Sequence, residues 1–442
     1  MRKNINKLVA FAIGISVMSG SIIPVFAADN TQNINATSNV QKQSNQKSVL
    51  TLDDAIKAAI NSSETLELDT KKITYQNTSN DINEDLDDFN DVDGDDEDFN
   101  EDTRDITINK LRQQRDFDQD VLIQKVTTAY NDIVTSQMEI NKAAKELEIK
   151  NKELNNAKLK ESLGIKTSTD LKSAELEIEN LQNTQKSRKN ALKDAQYSFK
   201  VLTEKDVTEF SLEQDIKYEP FKVEGSVDKY LDGVIDKYLK YSEQLVKLNK
   251  DYYYDDDNYI SVSTSKYQID DLTASKVDSK KQAAEEAEES LKNLEKPDTT
   301  TNFDVNAYQK YEEKKAEYTS AISAYTSAVS ARLTYLNTKL GVEESQTSLN
   351  ESKKQFKNQL KTYYTNLLTA EDNINYIKKN IELNNKKLSD AKLKYDLGMI
   401  IESEYNTQVV SSEDLDLQLR NAIDNYNTIK EKIQKPWIAF SS

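Results

Sequence analysis

The chain of 442 residues contains no cysteine and no histidine. Disulfide bonds, thiolate or imidazole metal ligands and every catalytic triad that depends on histidine are therefore excluded. Carboxylate pairs such as Glu285 with Glu286 and Glu288 with Glu289 fit solvated helix faces, because no apolar pocket pattern surrounds them. We expect no enzyme activity, no catalytic residues, no metal site and no cofactor.

Glycine and proline are also scarce, with eight and four residues in the whole chain. Lys, Glu, Asn, Gln, Leu and Ala dominate instead, which indicates long helices. The formal net charge of −18 gives a surface that repels nucleic acid, so no nucleic-acid partner is expected. Low hydrophobicity favours one elongated helical body over several globular domains.

The first 27 residues have the three-part layout of a secretory signal peptide, with cleavage near Ala27. Basic residues come first, an apolar run starts at Leu8, and Val25, Phe26 and Ala27 precede the expected cleavage point. A retained membrane anchor is the alternative, but small residues and Pro24 interrupt the apolar run. The sequence predicts export, followed by a disordered polar leader over residues 28–49. Thr51 can then cap a first helix, which we expect to reach the low 80s.

A repeat dominates the remaining chain: residues 128–164 align without a gap on residues 362–398, and 16 of 37 positions are identical. Chance would give about three identities at roughly 8% per position. Both copies end on Leu-Gly, at Leu163-Gly164 and Leu397-Gly398. The sequence therefore predicts two tandem structural repeats, residues 50–218 and 219–442, each with a helical turn, or tip, at its glycine.

Apolar residues at heptad spacing predict antiparallel helical hairpins in each repeat. We expect one helix from Ile106 to Leu163 and its partner from about Ser168 to Leu202. The first seam runs through Ile133, Ile140, Leu147 and Leu154, and the second copy has the same phase. Small and polar residues interrupt both seams, so each hairpin needs packing against the other repeat or against another subunit.

Two acidic segments, residues 84–105 and the Tyr-rich residues 251–258, are expected to be solvated loops at one end of the fold. Residues 270–340 form an expected helical insertion with a break at residues 297–302, and Gly341 is a candidate kink. Asp91 to Gly94 has some likeness to a calcium loop, but Phe89 and Asn100 stand where two essential carboxylates belong, which favours a solvated loop. Residues 252–254 could grip a sugar or partner, or simply pack at a helix end.

At residues 50–61 (Leu-Thr-Leu-Asp-Asp-Ala-Ile-Lys-Ala-Ala-Ile-Asn) the chain resembles the N-terminal helix of the TolC family of efflux conduits. Residues 164–174 (Gly-Ile-Lys-Thr-Ser-Thr-Asp-Leu-Lys-Ser-Ala) are similar to that family's helix-turn tip, and residues 398–405 are a looser match. The resemblance covers residues 50–82, 106–205 and 345–435. It implies an all-α fold, a TolC-like α-barrel protomer built from long antiparallel helical hairpins.

The resemblance further implies a homotrimer whose tips meet an adaptor (membrane-fusion) protein of an export pump, of the ABC or another type. On this basis the candidate docking residues are Leu163, Gly164, Ile165, Asp170, Leu397, Gly398 and Met399. A purely structural role, with each glycine needed only to end its helix, is the alternative.

The family inserts a β-hairpin in each repeat, where this chain has its acidic segments. Those segments lack the alternating apolar strands of about ten residues that a membrane-embedded sheet requires; only residues 259–263 are strand-like. We therefore expect little or no β structure, and a cell-envelope protein that is outer membrane-like or spans a cell-wall space. The predicted function is a passive conduit in an efflux or secretion assembly. The alternative is a structural or adhesive coiled-coil protein without a channel.

Overall fold

The computed structural model describes residues 47–92, 94–262, 265–297 and 304–440. The expected signal peptide and most of the leader lie outside these ranges. Long helices make up most of the described chain, and four short strands accompany them. The helices are α1 (Leu52–Ser62), α2 (Glu64–Phe89), α3 (Gly94–Ser162), α4 (Ser168–Thr203), α5 (Val227–Tyr253), α6 (Ala274–Lys292), α7 (Val305–Asp396), α8 (Glu402–Gln434) and α9 (Trp437–Phe440); the strands are β1 (Val49–Leu50), β2 (Ser211–Leu212), β3 (Tyr259–Val262) and β4 (Ser265–Gln268).

The first ordered helix begins as the sequence predicts. Thr51 is the N-cap of α1, and its hydroxyl accepts a hydrogen bond from the backbone N–H of Asp54 at 3.1 Å. The prediction of one helix reaching the low 80s was wrong in detail, because Ser63 has extended backbone and separates α1 from α2. The hydroxyl of Ser63 then accepts a hydrogen bond from Leu66 N–H and helps to start α2.

The expected acidic loop at residues 84–105 is almost entirely helical, since α2 ends at Phe89 and α3 begins at Gly94. Two interactions offset the repulsion among the acidic side chains of this segment. Arg104 and Asn100 both donate to Asp87 across the α2–α3 hairpin, at 2.5 and 3.2 Å. In addition, the first turn of α3 contains three acidic residues, which the positive end of a helix dipole favours. Asp93, in the stretch with some likeness to a calcium loop, lies outside the described residues.

The predicted insertion is present as α6, and α7 begins three residues after the predicted break. Helix α7 then continues through Gly341, so the chain does not leave the helix there. The strand-like run forms β3, which pairs in antiparallel register with β4; sequence reasoning had not identified β4. Strand β4 carries polar residues on both faces, so its sequence shows no alternating apolar pattern that would predict a strand.

The chain divides into two compact units, and each takes segments from both sequence repeats. Among the described residues, unit 1 comprises 72–112 and 239–355, and unit 2 comprises 47–71, 113–238 and 356–440. The heptad seams are confirmed in unit 2, where buried apolar side chains follow them: Ile133, Ile140, Ala143 and Ala157 in the first copy, and Leu367, Ala370, Ile374, Ile377 and Ala391 in the second.

A buried tyrosine anchors the connecting segments of unit 2. The hydroxyl of Tyr130, on α3, donates to the carbonyl of Leu50 at 2.7 Å and accepts from the N–H of Glu213 at 2.8 Å. These residues adjoin the parallel β1–β2 pair, so both strands are tied to α3. Phe199 of α4 packs beside the Tyr130 ring, with the ring centroids 6.2 Å apart.

In unit 1 the tyrosines at the end of α5 pack rather than project. Phe99 of α3 stacks on Tyr252 with ring centroids 4.0 Å apart, and Tyr253 meets both rings edge-on. The hydroxyl of Tyr252 donates to Asp96, which also accepts from Lys266 at 2.6 Å. Burial and this carboxylate raise the pKa of Tyr252. These contacts support the packing interpretation and bring the two acidic segments together.

None of the helices in the described ranges combines the length and the apolar character that a membrane crossing requires.

Candidate functional site

The first tip is a turn between α3 and α4 in unit 2. Gly164 has φ +73°, a left-handed conformation that side chains disfavour. Its N–H donates to the carbonyl of Glu161 at 2.9 Å, and the N–H of Ile165 donates to the carbonyl of Lys160 at 2.8 Å. This pair of bonds is a Schellman motif, which ends α3 and leaves Ile165 as the first residue beyond the cap.

Asp170, one of the candidate docking residues, completes a capping box with Thr167. The N–H of Asp170 donates to the Thr167 hydroxyl at 3.2 Å, and the N–H of Thr167 donates to the Asp170 carboxylate at 3.1 Å. Hydrogen bonds from Thr167 hold the pKa of the Asp170 carboxyl below its ordinary value. These hydrogen bonds help to start α4.

The second tip, between α7 and α8, repeats the same cap. Gly398 has φ +68°, its N–H donates to the carbonyl of Tyr395 at 2.9 Å, and Met399 N–H donates to the carbonyl of Lys394 at 2.8 Å. The start of α8 differs from that of α4, because its N-cap residue Ile401 makes no capping bond through its side chain. Both tips nevertheless share one backbone geometry, at positions that correspond in the repeat.

The stem of the second tip carries a contact that the first tip cannot make. Tyr395 of α7 and Tyr405 of α8 stack with ring centroids 5.3 Å apart and an interplanar angle of 9°. The ammonium group of Lys392 lies 5.6 and 5.5 Å from the two rings. This stack joins α7 to α8 immediately behind the turn, in place of a capping box.

Each tip exposes apolar side chains at matching positions. Ile165 and Met399 are 69% and 68% exposed, and Leu163 and Leu397 are both 65% exposed. In a Schellman motif the residue after the glycine often packs on an apolar residue within the last turn of the helix, but here that position holds Lys160 or Lys394. Ile165 and Met399 are therefore left in solvent.

Sequence reasoning missed three exposed apolar residues beside these turns, namely Leu159, Leu393 and Ile401. Leu159 and Leu393 belong to the identical Ala-Lys-Leu-Lys run of the repeat, one turn before Leu163 and Leu397. Both leucines lie outside the heptad seam. An apolar residue outside the seam is the sequence feature that could have identified them as exposed. With them, each tip presents two leucines from the end of a helix, together with Ile165 in the first turn and Met399 and Ile401 in the second.

Ion pairs connect the hairpins that carry the tips. Lys152 of α3 donates to Glu402 of α8 at 2.8 Å, which lowers the pKa of Glu402. Further along the same helices Lys145 pairs with Glu413, and Lys142 with Asp414. Lys150 of α3 pairs with Glu177 of α4 at 3.0 Å. Together with the tyrosine stack, these contacts connect the four helices in the order α4, α3, α8 and α7.

The first and last helices in this order both carry exposed apolar side chains along their length. On α4 these are Leu176, Tyr197 and Val201, and on α7 they are Leu368, Tyr376 and Leu383. Leu176 and Tyr197 are three heptads apart, and Tyr376 and Leu383 one heptad apart, so each pair lies on one face of its helix. The positions between them are polar, with Asn183 and Asn190 on α4 and Lys379 on α7, so the outer helices of unit 2 carry separate exposed apolar side chains.

Within the described ranges, no group of three or more acidic side chains is placed to hold a metal ion. The tips and the outer helices instead present apolar side chains to solvent.

No family model matches the sequence, and no curated protein sequence matches it significantly. Solved structures do match. The chain is similar to CusC, from crystal structures concerning folding and transmembrane channel formation, with a TM-score of 0.50 and 11% identity over 88% of this chain and 91% of that one.

Two further matches are to outer membrane channels. They are the Campylobacter jejuni CmeC channel, with a TM-score of 0.41 and 12% identity over 93% of this chain and 94% of that one, and the open state of the Neisseria gonorrhoeae MtrE channel, with a TM-score of 0.45 and 12% identity over 94% and 98%. The similarity to CusC confirms the TolC-like, mainly helical fold that the sequence predicts.

Proposed function

We propose that this chain is an exported, passive conduit component of an efflux or secretion assembly in the cell envelope. Three copies would form a closed α-helical tunnel, and the tips would dock on an adaptor protein that connects the tunnel to an export pump. The chain would carry out no chemistry, because transport energy would come from the pump. The fold, which is similar to that of CusC, supports this proposal, as do the paired tips.

The observation that carries the proposal is the set of exposed apolar side chains on both outer helices of unit 2. A single chain leaves Tyr197 and Val201 of α4 and Tyr376 of α7 more than 60% exposed. Burial of apolar area stabilises by about 25 cal/mol per Å², so exposed large side chains along both outer helices favour association. Because these side chains lie on different helices, one copy can offer α4 to the α7 of the next. When this contact is repeated from copy to copy, it closes a ring if the rotation between neighbouring copies returns the last copy to the first.

The tips supply the second part of the proposal. Leu163 and Ile165 on one turn, and Leu397 and Met399 on the other, form small apolar knobs on rigid caps. Their backbone geometry is set by Schellman motifs, so little conformational entropy remains to be lost when a partner binds. Three copies would present six such knobs, which suits an adaptor that also binds in several copies.

The molar mass of residues 28–442 in solution, measured by light scattering on a sizing column, tests the tunnel. We expect the mass of three chains, and negative-stain images with a central passage. A stable monomer that shows no passage would contradict the proposal and favour a structural or adhesive coiled-coil protein.

The tips are tested separately by the double variant Ile165→Ser, Met399→Ser in pull-down with an adaptor protein encoded beside this chain. We expect loss of binding with unchanged helix content and molar mass. The control is Val305→Ser, which removes a similarly exposed apolar side chain from unit 1. Unchanged adaptor binding by the double variant would refute docking through the tips.

A further inference from the structure

Unit 2 contains a cavity of about 730 Å³ where the helices of both repeats meet. It is lined by α3 and α4 of the first repeat and by α7 and α8 of the second. Sites for small organic molecules usually have volumes of about 300–1,000 Å³. Because the whole lining belongs to one chain, the cavity exists without the proposed ring of copies.

The lining of the cavity is duplicated, like the sequence. The aligned repeats differ in number by 234 (362 − 128), and the same difference separates the first residues of α4 and α8, Ser168 and Glu402. Three pairs of lining residues are related in this way: Lys150 with Asn384, Glu177 with Ser411, and Leu181 with Leu415. The two repeats therefore contribute corresponding positions to one cavity, and these can be compared directly.

In the first repeat the polar residue of the heptad seam is paired. The ammonium group of Lys150, on α3, lies 3.0 Å from the carboxylate of Glu177, on α4. The second repeat has Asn384 and Ser411 at these positions. The hydroxyl of Ser411 donates to the carbonyl of Thr407 at 2.9 Å, within its own helix. The second repeat thus retains a polar seam residue but lacks the carboxylate that its counterpart binds.

The amide nitrogen of Asn384 is consequently a buried donor without an acceptor. Nδ2 is shielded from solvent and makes no hydrogen bond to any of the described residues. A buried polar group that is not hydrogen-bonded costs free energy, and few such groups occur in native proteins. A ligand in the cavity that carries a carbonyl, ether or hydroxyl oxygen would supply the acceptor.

The rest of the lining specifies the body of such a ligand. Four apolar side chains contribute to it, namely Ile149, Leu181, Val410 and Leu415. Ile149 is only 9% exposed, so this part of the wall is well inside the fold. Apolar surface is most stable against apolar surface. The cavity therefore suits a molecule with an apolar framework as well as an oxygen acceptor.

The charged residues of the lining favour a positive ligand. They are four acids and two lysines: Glu146, Glu153, Glu177, Asp414, Lys142 and Lys150. Each ammonium group is shared between two carboxylates, because Lys142 pairs with Glu146 and Asp414, and Lys150 pairs with Glu153 and Glu177. Four negative and two positive charges leave a net charge of −2 (2 − 4), which attracts cations and repels anions.

We propose that this cavity binds a small amphipathic organic cation, whose oxygen acceptor takes the hydrogen bond of Asn384. Its apolar framework lies against Ile149, Leu181, Val410 and Leu415, and its positive charge lies near the carboxylates. The binding does not rest on the proposed tunnel, because one chain forms the site. Only the step from a bound molecule to a transported one would rest on it.

Two dyes that share one ring system test the charge preference. Rhodamine B ethyl ester is a cationic xanthene with an ester carbonyl, and fluorescein is an anionic xanthene at mildly alkaline pH. Fluorescence anisotropy is measured while each dye is titrated with purified residues 28–442. We expect saturable binding of the rhodamine ester and at least tenfold weaker binding of fluorescein.

Substitutions within the lining locate the bound dye. Asn384→Leu removes the donor at nearly constant volume and should weaken binding of the rhodamine ester about three- to tenfold, the value of one hydrogen bond. Ser411→Trp fills the cavity and should abolish binding. The matched control is Asn385→Leu, because Asn385 is the next residue, exposed and outside the lining, and it should bind like the natural chain. Circular dichroism and molar mass confirm that each variant is folded.

Four results would overturn the site. Equal binding by Asn384→Leu and Asn385→Leu would mean that water satisfies the amide. Binding that survives in folded Ser411→Trp would place the dye elsewhere, and equal binding of fluorescein would remove the charge preference. Absence of binding in a preparation with the mass of a ring would refute the site and leave the proposed tunnel intact. Conversely, binding by a stable monomer, lost in Asn384→Leu, would support the site although the tunnel had failed.

Discussion

The buried guanidinium of Arg420, on α8, donates a hydrogen bond to the side-chain oxygen of Asn131, on α3, at 3.1 Å. The same group donates to the hydroxyl of Thr135 at 3.2 Å and to the carbonyl of Gln214. Arg420 is only 4% exposed, and burial lowers its pKa. One side chain of the second repeat thereby holds a helix and a connecting segment of the first repeat.

Replacing Arg420 should destabilise unit 2 strongly. Arg420→Ala leaves the acceptors on Asn131, Thr135 and Gln214 without their donor, and we expect a loss of about 3 kcal/mol, the range seen when one partner of a buried polar pair is removed. The guanidinium-chloride midpoint followed by circular dichroism measures this loss. Arg188→Ala is the matched control, because Arg188 is partly exposed and its ion pair with Glu139 is 3.8 Å long. Equal losses for both variants would contradict the prediction.

The neighbouring carboxyl, Asp424, should make stability depend on pH. Burial raises its pKa and Asp132 adds to the shift, while Asn131, which donates to Asp424 at 2.5 Å, and Arg420 act in the opposite direction. A carboxyl whose pKa is raised in the folded state favours folding at low pH, and this contribution is lost as pH rises through the folded-state value. Asp424→Asn should therefore gain stability relative to the natural chain as pH rises from about 4 toward 7.

Thermal denaturation of the natural chain and Asp424→Asn, at a series of pH values in one buffer mixture, checks this difference. A variant that became relatively less stable as pH rises would show that Arg420 governs the carboxyl instead of burial.

Glycine should have opposite roles at the tip and within α7. Gly164→Ala forces a side chain into a left-handed conformation, at a cost of roughly 1–2 kcal/mol, although no neighbouring atom lies within 4 Å of the added Cβ. Gly341→Ala adds a Cβ to a continuous helix, also without a neighbour within 4 Å, and should stabilise by about 0.5–1 kcal/mol. Chemical denaturation of the two variants should give changes of opposite sign, and a shared sign would refute this account.

The single tryptophan of the chain should report on the folding of unit 2. Trp437 of α9 is 3% exposed, stacks on Phe117 with ring centroids 4.1 Å apart, and donates through Nε1 to Asp120 at 3.0 Å. Its removal in Trp437→Ala should cost about 3–5 kcal/mol through loss of packing and the cavity left behind. Thermal unfolding measures the loss in this variant. In the natural chain, tryptophan fluorescence should shift to longer wavelength at the temperature at which unit 2 unfolds. A fluorescence change and a loss of helix at two separate temperatures would contradict this role.

The helical hairpins could be predicted because their causes are local. Heptad spacing, scarce glycine and proline, and the duplication around Gly164 and Gly398 all act within one segment. The predicted helix from Ile106 began at Gly94 instead, and the acidic residues 84–105 were helical, because Arg104 and Lys266 neutralise carboxylates that sequence reasoning treated as isolated. Lys266 is 170 residues away from its partner Asp96, and no local pattern reveals such a pair.

By itself the sequence determined an all-helical, duplicated chain, the glycine caps of both turns and the hydrogen-bonded start of α1, because propensity, periodicity and capping depend on residues a few positions apart. Only the tertiary structure decided which apolar residues are covered. Tyr130 and Arg420 became buried anchors, whereas Phe89, Leu333, Ile165 and Met399 remained in solvent. Burial depends on which helix faces come together across distant segments, so it followed from the packing of both repeats and not from the pattern of either one.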